Sequence, residues 1–272
     1  MGIDFLLHSS DLADVACLGV LIVLALAGLW IYVDRRTPLA NRVRTLWQQP
    51  GPRALIFAAV SLSVLLTTAE AVLDHQEDEF LTDVDVVVRD AALAAAAWPG
   101  VRGAAQAVSD LTWTGLQGTV IAAGIALIYL RRWRETFVLL AGTLSAWALF
   151  RALKGLFGVP RPRFVAHHHV TITSYAFPSG HVLMTLVVTG LFLWAIGRLT
   201  GGPWTPGLDA RAILVAAVVG AARIMVDAHW LTDVVASLAL GTLWLTAVVF
   251  VSNPRSGSHQ PTRPPSDHPS TP

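Results

Sequence analysis

The chain has 272 residues, 54% of them hydrophobic and 14% charged, with a mean hydropathy of +0.58. Water-soluble domains carry about 25% charged residues, so this composition excludes a cytosolic globular enzyme and a disordered or collagen-like chain, and predicts a polytopic membrane protein. The net charge of +1 gives no reason to expect a nucleic-acid partner, and the single cysteine, Cys17, excludes both an intramolecular disulfide and zinc-type cysteine spacing.

Apolar runs of about 17–25 residues mark membrane-spanning helices. In chain order they fall at Ala13–Val33, Ala54–Leu73, Thr114–Leu130, Thr136–Leu153, His181–Leu199, Ala210–Val226 and Trp230–Val251. The first has Asp4, Asp11 and Asp14 and no Lys or Arg before it. That is the wrong charge for a signal peptide, so a retained helix is expected. Asp74–Trp113, between the second and third spans, is too charged to cross. Within it, Asp83–Trp98 carries Asp83, Asp85, Arg89 and Asp90 at one end and alanines at the other. This pattern predicts an interfacial amphipathic helix, broken at Pro99–Gly100. The segment Ser252–Pro272 is rich in Pro and Ser and is expected to be a disordered tail. The expected fold class is therefore all-α, a polytopic transmembrane helical bundle without internal repeats. It divides into residues 1–53 (a helix and an Arg-rich loop), 54–251 (a six-helix core) and 252–272 (the tail).

Arginine placement orients the bundle. Arg35, Arg36, Arg42, Arg44, Arg53, Arg131, Arg132, Arg134, Arg198, Arg211, Arg255 and Arg263 all fall on one side. Outside any motif, the other side holds Arg89, Arg102 and Arg163, with an acidic run from Asp74 to Asp85. The positive-inside rule then places the N-terminus outside and the C-terminus in the cytoplasm.

Three polar clusters resist this apolar background. Lys154, the only lysine among 19 basic residues, begins K-x6-R-P with Arg161 and Pro162. Pro178, Ser179, Gly180 and His181 form the second, and Arg223, His229 and Asp233 the third. Span parity puts all three on the outer side, so segments distant in sequence converge on one membrane surface.

The residue types fit phosphoryl transfer. Lys154, Arg161 and Arg223 supply positive charge, two of them with forked donors matched to phosphate oxygens. Ser179 and Gly180 open a helix whose N-terminal N–H groups form an anion site. His229 and Asp233 stand at i and i+4 on one helix face, where the carboxylate can fix one imidazole tautomer and leave the other nitrogen to attack. His181 is left to protonate the departing oxygen and then to activate water. This set implies a histidine nucleophile, with no metal and no cofactor. Each part alone has a plainer reading: Arg223 as an interfacial anchor, the histidine as a satisfied polar group, Asp233 as a counter to the helix dipole, and Pro-Ser-Gly as a capped turn. Their joint occurrence favours a site. His167, His168 and His169 are adjacent and cannot all face one ion in regular structure, so they read as a polar loop beside the site. Glu70, near the outer end of its span, reads as interfacial.

At these residues the chain resembles the type-2 phosphatidic acid phosphatase superfamily, which also holds vanadium haloperoxidases and bacterial acid phosphatases. The signature K-x6-R-P, P-S-G-H and S-R-x5-H-x3-D is met by Lys154, Arg161 and Pro162, by Pro178 to His181, and by Arg223, His229 and Asp233. One position departs: the motif serine is Ala222. The resemblance extends over about Ala54 to Val251 and implies a metal-independent lipid phosphatase. His229 would be the nucleophile, His181 the general acid, and Lys154, Arg161, Ser179, Gly180 and Arg223 the phosphate ligands. Six-helix members are common, so Ala13–Val33 reads as an N-terminal addition. The expected substrate is a lipid phosphate or diphosphate in a bacterial membrane: phosphatidic acid, phosphatidylglycerophosphate or a polyprenyl diphosphate. No obligate protein partner is evident. The competing reading is a non-catalytic membrane protein that binds phosphorylated lipids, supported only by Ala222. A vanadate-dependent oxidase is disfavoured by the lipid-embedded setting.

Overall fold

The computed structural model describes residues 50–73, 79–162, 175–201 and 206–252. The first predicted span with Cys17, the arginines from Arg35 to Arg44, the histidine run His167–His169, Arg163, the Glu70 side chain and the tail beyond Ser252 lie outside what is described. Seven helices are present among the described residues, in the order α1 Pro50–Leu73, α2 Glu79–Ala96, α3 Val101–Tyr129, α4 Trp133–Phe157, α5 Gly180–Thr200, α6 Pro206–Met225 and α7 Leu231–Ser252. The bundle is all-α, with a lone antiparallel bridge between Pro160 and Tyr175 and no strand among the described residues.

Four helices, α3, α4, α5 and α7, are long and apolar enough to cross a membrane. The helix α6 carries Asp209, Arg211 and Arg223 within its 20 residues, and α1 holds a shorter apolar stretch, Ala58–Ala69. The expected interfacial helix is α2, ended by a turn at residues 97–100. The third span differs most from expectation, because α3 starts at Val101 rather than Thr114 and runs for 29 residues. At 1.5 Å per residue it is about 44 Å long, well beyond the roughly 30 Å apolar layer. Its first turns expose Arg102, Gln106 and Asp110 among small residues and bury Ala105 and Ser109 at i and i+4. Amphipathic pitch, not hydropathy, makes that segment helical.

The core forms around α5, which packs on α3, α4, α6 and α7. Leu183, Leu186, Val187 and Leu191 are fully buried there, with Leu139 of α4 and Leu245 of α7 closing the cluster. A helix apolar on every side belongs in the centre. In lipid, association depends on close packing instead of water exclusion, so small residues sit at the crossings. A Cβ at Gly190 would overlap the Leu245 methyls, and one at Gly220 would lie 2.5 Å from Val234 Cγ1. Leu245 can swing its flexible end away, but the β-branched Val234 cannot. We expect Gly220→Ala to destabilise the protein by about 1–3 kcal/mol through forced separation of α6 and α7. Thermal unfolding in detergent checks this, and an unchanged midpoint would show that the crossing can open freely.

Candidate active site

All three sequence clusters meet at one end of the bundle, where α4 ends, α5 begins, α6 ends and α7 begins. Four local features steer the chain there. Gly158 ends α4 in the left-handed region at φ 63°, its N–H bonding to the Lys154 carbonyl. The chain returns past Val159, whose carbonyl accepts from the Ala176 N–H at 2.6 Å, so both ends of the intervening loop are tied together. Trp230 Nε1 donates to the Pro160 carbonyl at 3.3 Å, joining that loop to the start of α7. The Phe177 ring packs on Phe157 at 4.7 Å and fixes the approach to Pro178.

Gly180 begins α5 against Phe150. A Cβ there would lie 2.9 Å from the Phe150 ring, so only glycine lets the helix start this close. Ser179 occupies the N-cap position but makes no side-chain capping bond. Its hydroxyl is buried without a hydrogen-bond partner among the described residues, so the capped-turn reading does not describe it.

His229 and Asp233 are buried, at 1% and 0% exposure. His229 Nδ1 lies 3.2 Å from Asp233 Oδ2, and the same oxygen accepts the Trp230 N–H at 2.9 Å. Asp233 Oδ1 has no partner among the described residues. Burial first, then the positive charges of Arg161, Lys154 and Arg223, hold the His229 imidazole well below its usual pKa, so it is uncharged at neutral pH. Arg223 is buried, not spread at an interface, and with Arg161 and Lys154 it acts electrostatically on both His229 and His181. The two histidines also lie within electrostatic range of each other.

Lys154 departs from the simplest expectation. Its ammonium donates to the Tyr175 and Ala176 carbonyls, at 2.7 and 3.0 Å. Two of its three donors brace the segment leading to Pro178. Sequence reasoning missed Trp113 of α3, whose ring centroid is 5.5 Å from that of His181. It also missed the ties from α2 to the turn around His229. Neither leaves a motif-like signal, because the partners are far apart in sequence. Among the described residues, no group of three or more His, Cys, Asp and Glu side chains gathers as a metal site requires.

Residues 135–256 match the PAP2 superfamily. The resemblance read from the signature residues is borne out, and the PAP2 segment holds all three clusters. The fold is similar to a crystal structure described as the first transmembrane PAP2-type phosphatidylglycerolphosphate phosphatase from Bacillus subtilis. The TM-score is 0.59 at 20% identity, over 70% of this chain and 94% of that one. No curated protein matches the chain. The PAP2 segment begins in α4, so α1, α2 and α3 stand outside it.

Proposed function

We propose that the chain is an integral membrane phosphatase that hydrolyses a lipid phosphate or diphosphate through a phosphohistidine. The observation that carries this reading is the buried His229–Asp233 pair, lying within electrostatic range of Lys154, Arg161, Arg223 and His181 at one end of an apolar bundle. An uncharged imidazole keeps its lone pair for attack, and surrounding cations favour a phosphoryl group over any neutral ligand.

In the proposed reaction, His229 Nε2 attacks phosphorus in line, forming an N–P bond as the P–O bond to the lipid breaks. Asp233 accepts the Nδ1 proton's hydrogen bond and balances the positive charge growing on the ring. His181 gives a proton to the leaving oxygen. It then takes one from water, whose oxygen attacks phosphorus, breaks the N–P bond and releases inorganic phosphate. Arg161, Arg223, the third Lys154 donor, the Ser179 hydroxyl and the Gly180 N–H would hold the phosphoryl oxygens. Positioning and charge stabilisation carry the rate in such a site.

A residue set with three cations and one carboxylate neutralises an anion by itself, which supports metal-independent chemistry. The arginine distribution supports an extracytoplasmic site, an outward N-terminus and a cytoplasmic C-terminus in a bacterial cell membrane. Substrate chains would remain in the bilayer while the head group meets the site. The division into residues 1–53, 54–251 and 252–272 belongs to the same proposal.

Phosphate release in detergent with EDTA present tests this. The panel is phosphatidic acid, phosphatidylglycerophosphate and undecaprenyl diphosphate. Release that persists in EDTA is expected, and the fastest lipid identifies the substrate class. Well-folded protein that releases phosphate from none of them would instead favour the binding role. That second reading rests on Ala222, which lacks the motif's hydroxyl at a cost of about 1–3 kcal/mol if a phosphate contact is lost.

A further inference from the structure

The turn that carries His229 is held from outside the PAP2 segment. It runs from the end of α6 at Met225 to the start of α7 at Leu231. Its own bonds run back to α6, from the Val226, Asp227 and Ala228 N–H groups to the Ala222, Ile224 and Arg223 carbonyls. Asp227 sits in the left-handed region at φ 58°, which a non-glycine residue occupies at some cost. Such a turn needs external support to keep one shape.

That support comes from α2. Arg89 donates from Nε to Asp227 Oδ1 at 2.6 Å and from a terminal nitrogen to Oδ2 at 3.0 Å, a bidentate pair. Its guanidinium also lies 5.9 Å from the Trp230 ring centroid. One helical turn earlier, Asp85 Oδ1 accepts the Thr232 N–H at 2.9 Å and Oδ2 accepts the Thr232 hydroxyl at 2.7 Å. Thr232 is in the first turn of α7, so Asp85 acts as a cap supplied by another helix and places a carboxylate at that helix's positive end. The two grips stand at i and i+4 of α2, and they hold residue 227 before His229 and residue 232 after it.

We propose that Asp85 and Arg89 are positioning residues for the reaction: α2 clamps the turn on both sides of His229 and holds the imidazole in line for attack. This rests on the phosphatase reading. The clamp acts on the histidine and not on the lipid, so its loss should appear in turnover and leave substrate affinity almost untouched. A misplacement of about 1 Å in a reacting group can cost on the order of a hundredfold.

The test uses the full-length protein in detergent, with Arg89→Ala, Arg89→Lys, Asp85→Asn and the reciprocal double variant Arg89→Asp/Asp227→Arg. We expect Arg89→Ala to lower kcat roughly 10- to 100-fold, with KM within about twofold. Arg89→Lys should retain an intermediate rate, and the double variant should recover part of the loss. A second measurement does not depend on turnover. Hydrogen exchange in peptides covering residues 226–234 should accelerate in Arg89→Ala and Asp85→Asn, including at the Trp230 amide that Asp233 holds. An unchanged kcat in both Arg89→Ala and Asp85→Asn, or equal exchange in wild type and these variants, would overturn the clamp. Inactive wild type with accelerated exchange in the variants would sink the phosphatase reading and leave the clamp standing.

Discussion

His229→Ala is expected to abolish phosphate release, lowering kcat by about four orders of magnitude or more. The expected size follows from the site's geometry. The imidazole is 1% exposed and surrounded by the charges of Arg161, Lys154 and Arg223. Among the described residues of the site, His229 is the imidazole paired with a buried carboxylate, its Nδ1 3.2 Å from Asp233 Oδ2. Water could enter the space left by the ring, but Asp233 would no longer have an imidazole to orient. The residues proposed to hold the phosphate would remain, so the variant should still bind substrate. The covalent intermediate gives a second readout. Wild type quenched during turnover of a labelled lipid should carry acid-labile, base-stable phosphate on protein, and the variant should carry none. A variant that turns over at even a tenth of the wild-type rate would show that another group attacks phosphorus.

Asp233→Asn is expected to lower kcat roughly a hundred- to ten-thousand-fold with little change in KM. Asp233 Oδ2 currently serves both His229 Nδ1 and the Trp230 N–H. An asparagine oxygen in that place preserves both contacts, but it supplies no negative charge as the ring becomes cationic. Its amide nitrogen then falls at the Oδ1 position, which is buried and makes no hydrogen bond among the described residues, so the new N–H groups enter a place with no existing partner. An unsatisfied buried donor costs about 1–3 kcal/mol. The flipped amide would oppose the Trp230 N–H with a second donor and release the imidazole. Steady-state kinetics beside a thermal melt separate the two costs. A variant with normal kcat would show that the carboxylate only caps the start of α7.

The sequence made the bundle's architecture legible because apolar run length is a direct physical requirement of crossing lipid. The helices α4, α5 and α7 begin and end within a few residues of the runs that predict them. Hydropathy could not read the first turns of α3. They are helical through an Ala105–Ser109 face packed on protein, and their outer residues include Arg102, Gln106 and Asp110, which lower the hydropathy. The site was legible to the extent that its chemistry is carried by residues in fixed short spacings. His229 and Asp233 stand one helical turn apart, and the Arg223 cation six positions before His229 is what the intervening turn requires. The second use of Lys154 was not legible, because its partners are backbone carbonyls at Tyr175 and Ala176, which any residues would provide. Nor were the grips of Asp85 and Arg89, which reach 147 and 138 positions along the chain to partners chosen only by folding. Trp113 beside His181 belongs with these, since an aromatic residue near the start of a span ordinarily marks the membrane surface.

The central place of α5 also bears on how this protein can diverge. Its first residues, Gly180 and His181, follow the N-cap Ser179 at the candidate site, and the turns that follow touch neighbours on every side. An altered side chain there is tolerated only when a facing helix changes with it, so drift along α5 must proceed by paired replacements. The outward face of α3 is under no such restraint: Leu111, Ile121 and Ile125 are largely exposed and can be exchanged for any residue that lipid accepts. The same bundle therefore constrains its residues unequally, with a closely packed axis at α5 and a rim free to follow the thickness and composition of the membrane that holds it.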